Sequence, residues 1–197
     1  EKLRITHLGG GACSLARYCA DVYLNSRNTV VELDAKLAEY VREWFDIPKS
    51  PRVKIRVGDA GTVTRSFAPA SRDVVIRDVF AVDKTPAELT SVDFVRTVDH
   101  SLAPGGLYIL NCGDGPSLDG ARAEVAALFE MFEQVCLVAD AAMLKGRRRG
   151  NIIIAASHSP LPAAGSAEAA AISRTLMGGG VPAQYRDSAQ ARQFARL

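Results

Sequence analysis

Two hydrophobic rhythms alternate along the chain. Short apolar and β-branched runs predict buried strands, and the longer stretches between them carry apolar positions three and four apart, which predicts helices. Leu3 to Leu8 reads as a strand ending in Gly9-Gly10-Gly11, and Ala12 to Leu24 follows with Leu15, Ala16, Cys19 and Val22 at helical spacing. Thr29 to Leu33 is a second strand, bounded by Asn28 and Asp34, and Ala35 to Phe45 a helix stopped ahead of Pro48. Val53 to Val57 predicts a third strand ending at Gly58-Asp59, and Asp73 to Ile76 a fourth ending at Asp78.

The second half continues the alternation. Pro86 to Leu102 has a helical rhythm, and Pro104-Gly105-Gly106 reads as a turn into a strand over Leu107 to Asn111. Asp119 to Phe132 is an amphipathic helix, Val135 to Ala139 and Asn151 to Ala156 are two more strands, and Ala163 to Leu176 is an alanine-rich helix. A short last helix starts near Pro182 or Ala183. Strands alternating with helices imply an α/β, doubly wound, mainly parallel sheet, because each parallel crossover needs a helix on one face. Five units and a final strand pair predict seven strands, Rossmann-like, with the terminal pair antiparallel.

Composition narrows the setting. At 197 residues the chain has the size of one domain, so residues 1–197 are expected to form a single nucleoside-binding unit. A net charge of +2 argues against nucleic acid as a partner, and the basic cluster Lys145-Gly146-Arg147-Arg148-Arg149 reads as a solvated turn. Cys13, Cys19, Cys112 and Cys136 form no C-x-x-C pair and sit beside apolar stretches, which fits a reducing, cytoplasmic setting. No apolar run is long enough to span a membrane. The chain enters a strand almost at once without an initiator Met, so an upstream segment is expected to be missing.

In open α/β sheets a ligand lies beyond the carboxyl ends of the strands, which makes the strand ends the candidate site. Gly9, Gly10 and Gly11 let the backbone approach a ligand, or simply make a tight turn into the next helix. Glu32 lies 21 residues after Gly11, where an acid commonly accepts from both hydroxyls of a ribose; a solvated strand end is the alternative. Asp59, followed by Ala60, is placed to accept from an exocyclic amine such as that of adenine, or to cap the helix that follows. Asp78 follows an apolar run and is placed to face a cation or to take a proton from an amine nucleophile, or to cap its loop. His7, His100 and His158 show no ligand spacing with the cysteines, so no metal is expected, and the absence of G-x-S-x-G argues against a hydrolase. A nicotinamide-dependent dehydrogenase fits less well, since Ser14 stands where the third glycine of G-x-G-x-x-G would fall.

These strand ends, taken in order, resemble a known family. Ile5-Thr6-His7-Leu8-Gly9-Gly10-Gly11, Val31-Glu32-Leu33-Asp34, Val57-Gly58-Asp59, Asp73-Val74-Val75-Ile76-Arg77-Asp78 and the segment from Leu102 to Asn111 resemble the successive motifs of spermidine synthase-like polyamine aminopropyltransferases. The resemblance implies the fold of S-adenosylmethionine-dependent methyltransferases and decarboxylated S-adenosylmethionine as co-substrate. It implies transfer of the donor's aminopropyl group to a polyamine amine such as putrescine. By position, Glu32 would hold the ribose, Asp59 and Ala60 the adenine, the glycines would lie under the nucleoside, and Asp78 would deprotonate the attacking amine. It also implies a homodimer.

The chain departs from that pattern at four places. Ala12 stands where the family has an acid for the donor's amine. The family's D-S-S-D-P loop is replaced after Asp78 by Val79-Phe80-Ala81, with Asp83 two positions past the expected second acid, where it would face the substrate amine. The aromatic segment before the last strand pair gives way to the basic turn, and the family's amino-terminal β-rich segment is absent from this chain. Two further readings therefore stand beside the first: a methyltransferase using ordinary S-adenosylmethionine, and a non-catalytic relative that binds a nucleoside.

Overall fold

The computed structural model describes residues 2–197. Its strands are β1 (Arg4–Leu8), β2 (Arg27–Glu32), β3 (Val53–Val57), β4 (Arg72–Arg77), β5 (Leu102–Asp114), β6 (Gln134–Ala139), β7 (Gly150–Ser157) and β8 (Gln184–Arg186). The helices are α1 (Ser14–Val22), α2 (Ala35–Trp44), α3 (Ala60–Arg65), α4 (Val92–Ser101), α5 (Asp119–Phe129), α6 (Ala141–Leu144), α7 (Ala167–Met177) and α8 (Ser188–Ala195). Hydrogen-bonded order across the sheet is β3-β2-β1-β4-β5-β7-β6-β8. By contact density the residues fall into two units, one of residues 1–80 and 96–108, the other of residues 81–95 and 109–197.

In the first unit β1 pairs in parallel with β2 and β4, and β2 with β3. Their apolar runs are largely buried, Leu8, Val30, Val31, Val53 and Val75 being closed to solvent, whereas Val57 at the end of the outer strand β3 is exposed. Each buried side chain contributes about 1.5–3 kcal/mol relative to an exposed one. On one side, Cys13, Ala16 and Ala20 of the α1 region and Val41 and Leu37 of α2 pack with Val30, Val53 and Ile47. Asp34 starts α2 by accepting from the amides of Lys36 (2.8 Å) and Leu37 (3.1 Å).

The second unit carries the antiparallel end of the sheet. β6 pairs antiparallel with both β7 and β8. Leu128, Phe132, Leu137, Met143, Ile152 and Ile154 are fully buried there. Arg122 of α5 joins α8 through the Phe194 carbonyl (3.2 Å) and lies over the Phe194 ring.

The structure bears out the doubly wound, mainly parallel α/β fold with an antiparallel end, and several elements differ from the sequence expectation, among them the unexpected short helix α6. The sheet has eight strands rather than seven, the addition being the three-residue β8 where a helix start was expected. The predicted Pro104–Gly106 turn lies inside β5, with Gly105 at φ 77°, a backbone state that costs glycine little. The helix expected over Pro86 to Leu102 is a 3₁₀ turn at Ala87–Leu89 followed by α4, which Ser91 restarts by accepting from the Phe94 amide (3.2 Å).

Candidate functional site

The register of the parallel strands brings their last residues to one level. Leu8 stands opposite Val31 and Arg77, and Glu32 opposite Val57. The ladder then continues one residue further on each side: Gly9 N donates to the Val31 carbonyl (3.0 Å), Asp78 N to that of Leu8 (2.8 Å), and Gly58 N to that of Glu32 (2.9 Å). Four candidate positions thus emerge from four neighbouring strands at the same edge, where side chains are released from the pleat.

Gly9 is held in a place that only glycine fills. Its φ is 90°, and a Cβ there would collide with the Asp78 carbonyl, so the β1 and β4 exits can cross only without a side chain. Gly10 is confined on the other side, where a Cβ would come 2.7 Å from Val30 Cγ1. The turn is tied down by Glu32, whose Oε2 accepts from the amides of Gly10 and Gly11, both at 3.0 Å. Its Oε1 accepts from the Asp34 amide (2.9 Å). A carboxylate has about four acceptor sites, so these three bonds leave about one for a ligand's hydroxyl.

Asp59 is the N-cap of α3, its Oδ1 accepting from the Thr62 amide (2.7 Å), and that bond holds its carboxyl below the usual range. The capping alternative for this residue is therefore real, and its exposed carboxylate faces solvent at the same strand-end level. Ala60 follows as the first, buried residue of α3.

A cavity of ≈ 290 Å³ opens beneath the glycine turn, at the small end of the range for ligand sites. Gly9, Gly10, Gly11, Ala12 and Asp78 line it together with His7, Cys13 and the start of α1. Glu32 touches the turn from outside the lining, and Asp59 and Ala60 lie beyond it. Asp83 lies in the second unit, where its carboxylate meets Arg149 at 2.9 Å, an exposed ion pair that lowers its pKa. It lines another cavity, of ≈ 500 Å³, with Asp114, Glu124 and Arg149. Arg148 likewise meets Asp140 at 2.6 Å, so two arginines of the predicted solvated turn are paired.

Two residues beside the glycine turn were not expected there from the sequence. Cys13 is buried at φ 55°, left-handed for a non-glycine residue, at the N-cap of α1, and burial pushes its thiol pKa up. His7 is buried with its Nε2 3.0 Å from Asn28 Oδ1. Only a polar pair at alternate positions of two apolar strands, His7 and Asn28, hinted at it. Among the described residues, no three His, Cys, Asp or Glu side chains converge to hold a metal ion, and no helix is long and apolar enough to cross a membrane.

The same fold occurs in a solved protein. The chain is 61% identical to a probable spermidine synthase from Corynebacterium glutamicum, with a TM-score of 0.95 over 98% of this chain and 69% of that one. The chain belongs to the spermidine synthase family. Among curated proteins, this spermidine synthase-like chain is 31% identical over 140 residues to the eEF1A lysine and N-terminal methyltransferase of Mus musculus, covering 66% of this chain and 20% of the mouse protein. It is 28% identical over 130 residues to a probable polyamine aminopropyl transferase of Bifidobacterium longum, covering 62% and 28%. The chain thus spans between a fifth and about a quarter of these curated relatives. No family model matches it.

Proposed function

We propose that the chain is the catalytic domain of an aminopropyltransferase that moves the aminopropyl group of decarboxylated S-adenosylmethionine to a polyamine amine such as putrescine. The observation that carries this reading is the convergence of Glu32, Asp59 and Asp78 with the Gly9–Gly11 turn at one edge of four parallel strands. Family membership supports it. Glu32 would hold the ribose, accepting from one hydroxyl at its remaining site and from the second only by releasing one of its backbone amides, Asp59 with Ala60 would receive the adenine, and the glycine backbone would lie under the nucleoside. Asp83, already paired with Arg149, would meet the far ammonium of the acceptor only by exchanging that partner.

The chemistry asks little beyond alignment, because the donor sulfonium is already a good leaving group. The lone pair of the acceptor nitrogen attacks the methylene next to sulfur, the C–S bond breaks, and its electrons leave on the neutral thioether of methylthioadenosine. The proton shed by the new secondary ammonium passes to Asp78, which must be within hydrogen-bond reach of it. Asp78→Asn should lower kcat by about 10²–10⁴-fold and leave the donor dissociation constant near that of the native chain, as read by steady-state kinetics beside calorimetry.

A second reading, methyl transfer from S-adenosylmethionine, is favoured by Ala12, which offers the donor's amine no carboxylate, and by the methyltransferase among the relatives. Calorimetric titration with decarboxylated S-adenosylmethionine, S-adenosylmethionine, methylthioadenosine and NADH separates the cases. Tighter binding of the decarboxylated donor or methylthioadenosine supports aminopropyl transfer, and an acceptor screen follows. Preference for S-adenosylmethionine moves the assignment to methyl transfer, and no nucleoside binding sinks both. A homodimer is the assembly that goes with the first reading, and sedimentation velocity tests it.

A further inference from the structure

Helix α1 is built inside out for a helix that meets water. The side chains it lays on the sheet are small, Ala16, Cys19 and Ala20, and the larger apolar ones, Leu15, Tyr18 and Val22, recur at spacings of three and four on the opposite side. Tyr23 and Leu24 continue this stripe past the helix end, and all five are between 46% and 72% exposed. Beside it, α2 turns four charged side chains to solvent, Lys36, Glu39, Arg42 and Glu43, and its exposed aromatic pair, Tyr40 and Trp44, stacks on itself. A helix that is apolar on both sides belongs between two layers, and a contiguous apolar patch of this kind marks a contact surface.

The charges of α1 indicate what covers the stripe. Arg17 and Asp21 are the two charged residues of the helix, four positions apart and therefore on one flank. The Arg17 guanidinium is held on that flank over the Phe45 ring, 5.2 Å from its centroid. Consider a second α1 running antiparallel across the stripe, related to the first by a two-fold axis level with Cys19. The same flank of each helix then lies on the same side. Arg17 of each copy stands opposite Asp21 of the other, and Leu15 opposite Tyr23. A surface whose apolar stripe and opposite charges match themselves under a two-fold rotation suits an isologous contact, which closes at two copies.

We propose that the outward face of α1 is the self-association surface of this chain. Leu15, Tyr18, Val22 and Tyr23 pack against their counterparts in a second copy, and Arg17 pairs with Asp21 across the contact. The homodimer that accompanies the proposed function thereby acquires a face, although the contact does not depend on which donor the site takes. Ser14 and Leu15 also line the cavity under the glycine turn, so the contact adjoins that cavity. A nine-residue helix is only about 14 Å long, which makes an interface smaller than the roughly 800 Å² per partner of standard complexes, so the dimer should form reversibly.

Sedimentation velocity of the native chain, from low micromolar to near-millimolar concentration, should show a monomer passing to a dimer and no larger species. Tyr18→Glu should stay monomeric throughout, with the circular dichroism and Tm of the native chain, because Tyr18 faces away from the core. Asp21→Arg and Arg17→Asp should each raise the dimer dissociation constant about tenfold, and the double variant, which exchanges the two charges, should bring it back near the native value. A native chain that remains monomeric at the highest concentration, or a dimer that survives Tyr18→Glu, overturns the proposal. A double variant no better than the single ones overturns the antiparallel pairing. None of these measurements uses a nucleoside, so their failure leaves the reaction proposed above standing, and a chain that binds no nucleoside leaves the α1 face standing.

Discussion

At Gly9 conformation and packing make the same demand. The left-handed backbone alone costs a side chain about 1–3 kcal/mol, and the blocked approach to the Asp78 carbonyl adds to it. Gly9→Ala should therefore destabilise the chain by roughly 3 kcal/mol in urea unfolding, a large loss for one methyl group. Nearby, burial lowers the pKa of His7 from the ordinary 6.5. Below that value the unfolded chain takes up a proton that the folded chain resists. Stability from this source is complete above pH 6.5, declines as pH falls from there, and is fully lost below the folded pKa. Thermal unfolding from pH 7 downward should show a shallower decline in His7→Leu than in the native chain, and identical slopes would refute it. Glu32 and Asp78 were legible as strand-end acids because an acid after an apolar run stands out in one dimension. The buried hydrogen bond of His7 was not, because it depends on Asn28, which Ser26 and Arg52 hold in place and which reaches it only through strand pairing.

Elements with a strong period could be read, and those built from distant partners could not. β1 to β4 appeared within a residue or two of their bounds because runs such as Val74-Val75-Ile76 have no other good use. β8 is only Gln184-Tyr185-Arg186, a polar triplet whose strand character comes from pairing with β6. The basic turn read as solvated because its anions, Asp83 and Asp140, lie elsewhere in the chain; Arg149 and Asp83 are 66 positions apart. A similar long-range pair ties β1 to the start of β4: Arg4 meets both oxygens of Asp73, at 2.6 and 3.0 Å, with 38% and 26% of the side chains exposed. A double-mutant cycle with Arg4→Ala and Asp73→Ala should return a coupling of about 1 kcal/mol, the upper end for a partly exposed pair. A value near zero would mean that the strands hold their alignment through the ladder alone.

Across the whole molecule, all four cysteines are buried and none is in a disulfide, and burial raises the pKa of Cys13, Cys19 and Cys136. Thiol titration should thus find little reaction in the folded chain and four groups in denaturant, and Tm should be the same with and without a reductant. Rapid labelling without denaturant would show that the helices over these residues open readily. The two outer strands have a consequence for assembly. On one side β3 runs Val53-Lys54-Ile55-Arg56-Val57, with Lys54 and Arg56 exposed, and on the other β8 stops after three residues. A charged margin and a truncated one are poor templates for a further strand, so the sheet resists growing from chain to chain in the manner of a fibril. Any self-association is thereby left to surfaces other than the sheet margins, and a crowded solution of this protein should stay clear where a flat, apolar margin would seed aggregation.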